Sequence, residues 1–78
     1  MKTVGQIIRE KRKERGWTLE QLGGEIGRNF STVATWERDE ITPSIFILWD
    51  LADIFNCSLD EMCGRTFKEE DNGGEKKN

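Results

Sequence analysis

Apolar residues recur along this chain at intervals of three and four, the repeat of one helix face. They do not alternate as a strand flanked by hairpin signals would. Val4, Ile7 and Ile8, continued by the stem of Lys11 or Arg12, draw the first face, and Leu19, Leu22 and Ile26 the second. Val33 and Trp36 form a shorter third. Residues 45–55 are mostly apolar, and Leu59 opens a fifth, one-turn segment. Each run follows a residue suited to an N-cap. Thr3 to Gln6, Thr18 to Gln21 and Ser58 to Glu61 have capping-box spacing, while Asn29 and Ser44 are single caps. Gly16, Gly27 and Gly64 stand where the runs end, and Pro43 disfavours helix in the residue before it. The pattern predicts helices near 3–14, 18–25, 30–38, 45–55 and 59–63, with no strand. Their common core is expected to hold Val4, Ile8, Leu22, Ile26, Val33, Trp36, Leu48, Leu51, Ala52, Phe55 and Leu59.

Composition narrows what such a bundle can do. Its 78 residues suit one small domain, expected over 1–65, with a polar, disordered tail over 66–78. There is no histidine, which removes the commonest general base and transition-metal ligand. Two cysteines, Cys57 and Cys63, cannot close a four-ligand zinc site and are expected as reduced thiols. No convergent nucleophile, base or metal set is present, so the expectation is a protein that is not an enzyme and uses no cofactor. No apolar run approaches the ~18–20 residues that cross a bilayer. The charged N-terminal stretch lacks a signal peptide's apolar segment, so a cytoplasmic protein without a membrane partner is expected.

Charge is unevenly distributed. The net value is −3, but residues 1–15 carry six basic side chains against Glu10 and Glu14, a local +4. The remaining residues carry six basic and thirteen acidic groups, a net −7. Such asymmetry points either to a polyanionic partner or to a solvated basic helix face.

The segment from Thr18 to Trp36 holds what a helix-turn-helix needs. Gly23 is small enough to let two helix backbones meet, Gly27 suits a left-handed turn, and Val33 and Trp36 anchor the second helix by one edge. The chain also resembles the Xre-type helix-turn-helix domain of phage repressors, Cro proteins and bacterial transcription regulators. IREKRKERGWT, LEQLGGEIG, STVATWERDEITPS, LADIF and SLDEM carry the likeness from about Val4 to Gly64. The resemblance implies an all-α, five-helix, lambda-repressor-like DNA-binding domain whose third helix enters the major groove of double-stranded DNA. It implies base reading by Phe30, Ser31 and Thr35, with Asn29 capping that helix. Backbone contacts are implied for Thr32, Arg38, Arg28 and Thr18, and a structural ion pair for Arg12 and Glu37.

This reading face has no Arg, Gln or Asn for bidentate base contacts, and its side chains suit thymine methyls and hydroxyl hydrogen bonds. The expected function is that of a small, repressor-like transcriptional regulator acting as a homodimer. The alternative is a protein-interaction module on the same fold, an anti-repressor or accessory subunit with little DNA affinity. Residues 45–55 hold more large apolar side chains than one inward stripe can use. Some of Phe46, Ile47, Trp49 and Ile54 are therefore expected to point away from the core, either as scattered surface apolars or as a dimer or partner surface.

Overall fold

A computed structural model describes residues 2–64. Five helices follow in order: α1 Val4–Glu14, α2 Leu19–Ile26, α3 Phe30–Glu37, α4 Ile45–Phe55 and α5 Leu59–Met62. There is no strand among the described residues, and each boundary falls within a residue or so of its expected place. The expected tail over 66–78 lies outside them.

The caps explain where the helices begin. Thr3 accepts from the Gln6 N–H while the Gln6 side chain accepts from the Thr3 N–H, and Thr18 and Gln21 repeat the exchange. Asn29, Ser44 and Ser58 each accept one N–H of the turn they open. Satisfying these otherwise unpaired donors fixes the entry of every helix.

Ile7, Ile8, Leu22, Ile26, Val33, Trp36, Leu48, Leu51, Ala52, Phe55 and Met62 form the buried core. Two expected members, Val4 and Leu59, are only partly buried because each opens its helix at the margin of the bundle. Ile7 and Met62 take the interior places instead. The apolar surplus of α4 divides in two, as an excess over one inward stripe requires. Ile47 and Ile54 pack against the core, whereas Phe46 and Trp49 are 73% and 57% exposed, joined on the surface by Ile41 and Ile45. Among the described residues, the exposed apolar surface therefore belongs to the N-terminal half of α4 and the loop before it.

The two ends of the described chain meet. A side chain built at Gly64 would touch the Lys2 carbonyl oxygen at 2.7 Å, and Lys11 of α1 bonds Glu61 of α5 at 2.5 Å. Cys57 and Cys63 are free and half-buried, and burial pushes the Cys57 thiol above its ordinary pKa, so it stays protonated at neutral pH. No helix among the described residues is long and apolar enough to cross a membrane.

Candidate nucleic-acid interface

The crossing of α2 and α3 is set by two glycines. Gly27 ends α2 at φ 73°, a left-handed turn that glycine adopts without a steric penalty. Gly23 receives the returning chain: the Arg28 N–H donates to the Gly23 carbonyl at 2.9 Å. A methyl group at Gly23 would sit 2.5 Å from the Arg28 carbonyl oxygen. Adjacent Gly24 meets nothing within 4 Å.

α3 is held by one edge. Val33 and Trp36 are buried, which leaves Phe30, 48% exposed, and Ser31 on the outer side. Thr32 and Thr35 are half-buried at its margin. The polar atoms here are already partly engaged. Asn29 Oδ1 accepts from both the Ser31 N–H and the Ser31 hydroxyl at 2.9 Å, and the Thr35 hydroxyl donates to the Thr32 carbonyl at 2.6 Å. With their protons so placed, the Ser31 and Thr35 oxygens retain lone pairs that can accept.

The expected contact residues are brought together unequally. Thr18 is exposed at the start of α2, its oxygen accepting from the Gln21 N–H. Arg28 is exposed in the turn, near its own chain at the Gly27 carbonyl, 3.2 Å away. Arg38 is exposed at the end of α3, but its guanidinium already holds Glu40 through two bonds of 2.9 and 3.1 Å.

The Arg12–Glu37 pair forms as the resemblance implied. Its bonds are 2.6 and 3.0 Å, Arg12 also donates to the Trp17 carbonyl at 2.8 Å, and the two side chains are only 11% and 6% exposed. Glu37's hydrogen bonds raise the Arg12 pKa, against the desolvation that burial imposes. The pair fixes the C-terminal end of α3 to α1.

Asp39 gives that end a second tie, one the sequence reading did not contain. At φ 59° it turns the chain out of α3, and its carboxylate accepts the Gly5 N–H at 2.9 Å and the Thr3 hydroxyl at 2.6 Å. A methyl group at Gly5 would clash with the carbonyl oxygens of Trp36 and Glu37. Asp39 thus closes the start of α1 from 34 residues away, favourably placed against the positive end of that helix.

Four of the six cations in the basic N-terminal stretch are bonded within the chain. Lys2 pairs with Glu10, Lys11 with Glu61 and Arg12 with Glu37. Arg15 donates to the Phe55 carbonyl at 2.8 Å and lies over the Trp17 and Phe55 rings, 5.6 and 5.8 Å from their centroids. Only Arg9 and Lys13 of its six cations lack such a bond among the described residues. Lys2, Arg9, Lys13 and Arg15 remain exposed, so a solvated basic face coexists with these ties.

Comparison with known proteins adds an independent observation. A family model described as Helix-turn-helix matches residues 8–62. YazB, an uncharacterized HTH-type transcriptional regulator of Bacillus subtilis, is 38% identical over 58 residues, covering 74% of this chain and 84% of YazB. A Halorubrum lacusprofundi protein named for HTH-type transcriptional regulation is 38% identical over 52 residues. That match covers 67% of this chain but spans only 16% of that protein. Among solved structures, the P22 c2 repressor in complex with a synthetic operator superposes with a TM-score of 0.74 at 29% identity, covering 80% of this chain and 94% of the repressor chain in that structure.

Proposed function

With residues 8–62 matched, the chain belongs to the Helix-turn-helix family, and from that membership we propose that it is a transcriptional regulator that binds duplex DNA in the cytoplasm through α3. One observation carries the site assignment. Val33 and Trp36 anchor α3 by its inner edge and leave Phe30 and Ser31 exposed on its outer side, with Thr35 half-buried at the margin and the exposed cations Arg28 and Arg38 at the two ends of the helix. In this reading Phe30 meets thymine methyl groups, and the Ser31 and Thr35 oxygens accept from adenine N6 or cytosine N4. Arg28, Arg38, Thr18 and Thr32 contact the phosphate backbone, with Asn29 capping the reader. The likeness to an operator-bound repressor supports this placement.

One domain of this size covers a single half-site. The working form is a homodimer whose two readers stand ~34–36 Å apart, in successive major grooves. Exposed Phe46 and Trp49, with Ile41 and Ile45, offer an apolar surface for that pairing.

Selection of bound duplexes from a random pool at two salt concentrations tests the reading, and an enriched inverted repeat is the expected result. Replacing Thr35 by alanine should change the preferred base, at roughly 1–3 kcal/mol for the lost contact. Replacing Arg28 by glutamine should weaken all duplexes alike and flatten the salt dependence. Enrichment of no duplex would favour the alternative, a module on the same fold that binds protein.

A further inference from the structure

The turn after α3 returns a carboxylate to Arg38, the exposed cation that caps the reader. Residues two apart do not face each other on a helix. Asp39, at φ 59°, makes their meeting possible by reversing the chain between Arg38 and Glu40. The turn is anchored on every side. The Asp39 N–H donates to the Trp36 carbonyl and the Glu40 N–H to the Thr35 carbonyl, both at 3.0 Å, while the Asp39 carboxylate is bonded to Thr3 and Gly5. Glu40 is therefore delivered beside Arg38 by a fixed backbone.

The contact has the form of an anion-recognition site. Nε and one terminal nitrogen of Arg38 each donate to a different Glu40 oxygen, a two-bond fork that a phosphate also fits. The two side chains are 57% and 55% exposed, so the pair is open to competition from solvent and from any arriving anion.

We infer that Glu40 is a placeholder for a DNA backbone phosphate, seated on Arg38 in the free protein and displaced when the duplex docks. The inference rests on the DNA-binding reading above. Because a phosphate carries no base identity, Glu40 lowers affinity for every duplex by a similar factor and leaves the choice among them to α3. It also returns one negative charge to the interface on binding, which offsets part of the counterion release that draws a cationic surface onto DNA.

Four proteins test this: wild type, Glu40→Gln, Arg38→Gln and the double variant. Fluorescence anisotropy would measure their binding to the selected duplex and to an unrelated one across a salt series. Glu40→Gln should bind both duplexes roughly two- to fivefold more tightly, about the strength of an exposed ion pair. Its dependence of log K on log salt should steepen by about one. In the Arg38→Gln background the same change should give no gain, since the fork is gone. An equal gain in both backgrounds would overturn the inference, because Glu40 would then act as a repelling charge without occupying Arg38. No gain in either background would overturn it as well. Thermal unfolding of Glu40→Gln should match wild type, which separates a binding effect from a folding one. If wild type retains no duplex, the DNA reading itself falls and takes the inference with it. Failure of the inference alone leaves wild-type binding intact.

Discussion

Glu37 illustrates how a single side chain can have a small net value and a large cost of removal. Its carboxylate and the Arg12 guanidinium are almost wholly withdrawn from water, with both Glu37 oxygens bonded and a further Arg12 bond to the Trp17 carbonyl. Desolvating both charges offsets most of their attraction, whereas deleting one leaves the other stranded. Glu37→Gln should therefore lower stability by about 3 kcal/mol. The double change Arg12→Met with Glu37→Leu should cost only about 1 kcal/mol, chiefly for the donor lost by the Trp17 carbonyl. Urea unfolding of the three proteins checks the order, and a double variant weaker than the single one would contradict it. A loss of 3 kcal/mol matters here, because a core this small supplies only ~3–5 kcal/mol net.

At the scale of the element, adjacent glycines in α2 should respond in opposite senses. Gly23→Ala forces a methyl group against the Arg28 carbonyl and should cost about 1–3 kcal/mol as the turn shifts. Gly24→Ala has open space and gains helix propensity, so it should stabilise by about 1 kcal/mol. Thermal midpoints moving in opposite directions are the expected result. This contrast also marks how far the sequence could be read. Helix positions followed from periodicity and caps, since both depend on residues three or four apart, and the close approach at Gly23 followed from its place before a turn. The approach at Gly5 did not, because nothing near it in sequence announces that the end of α3 arrives there. Asp39 was missed for the same reason, its partners lying 34 and 36 residues away. The candidate reading face was legible through the family likeness and the inward edge of α3. The engagement of Arg38 by Glu40 was not, because a left-handed residue between them had to be seen first.

For the whole molecule, assembly depends on which apolar side chains the fold leaves outside. Periodicity showed that residues 45–55 carried a surplus but could not divide it, because Ile47 and Ile54 are covered by other parts of the chain. Phe46 and Trp49 lie three apart on α4 and remain exposed, close in sequence to exposed Ile41 and Ile45. If this surface joins two copies, Trp49→Lys should shift sedimentation from dimer to monomer at a fixed concentration while leaving thermal unfolding of the monomer nearly unchanged. A wild type that sediments as a monomer at high concentration, both free and on its operator, would assign the surface to another partner.

The meeting of Gly64 with Lys2 makes the five helices a closed circuit, with α5 returning the path to α1. In a circuit every helix has two neighbours, and the place where the peptide is open becomes a matter of bookkeeping. A short bridge from residue 64 to residue 2, with a new opening in the exposed 40–42 loop, would keep all five helices and exchange one loop closure for another. The bundle is thus a candidate for circular permutation, and its contacts, more than the order in which the ribosome delivers them, define it.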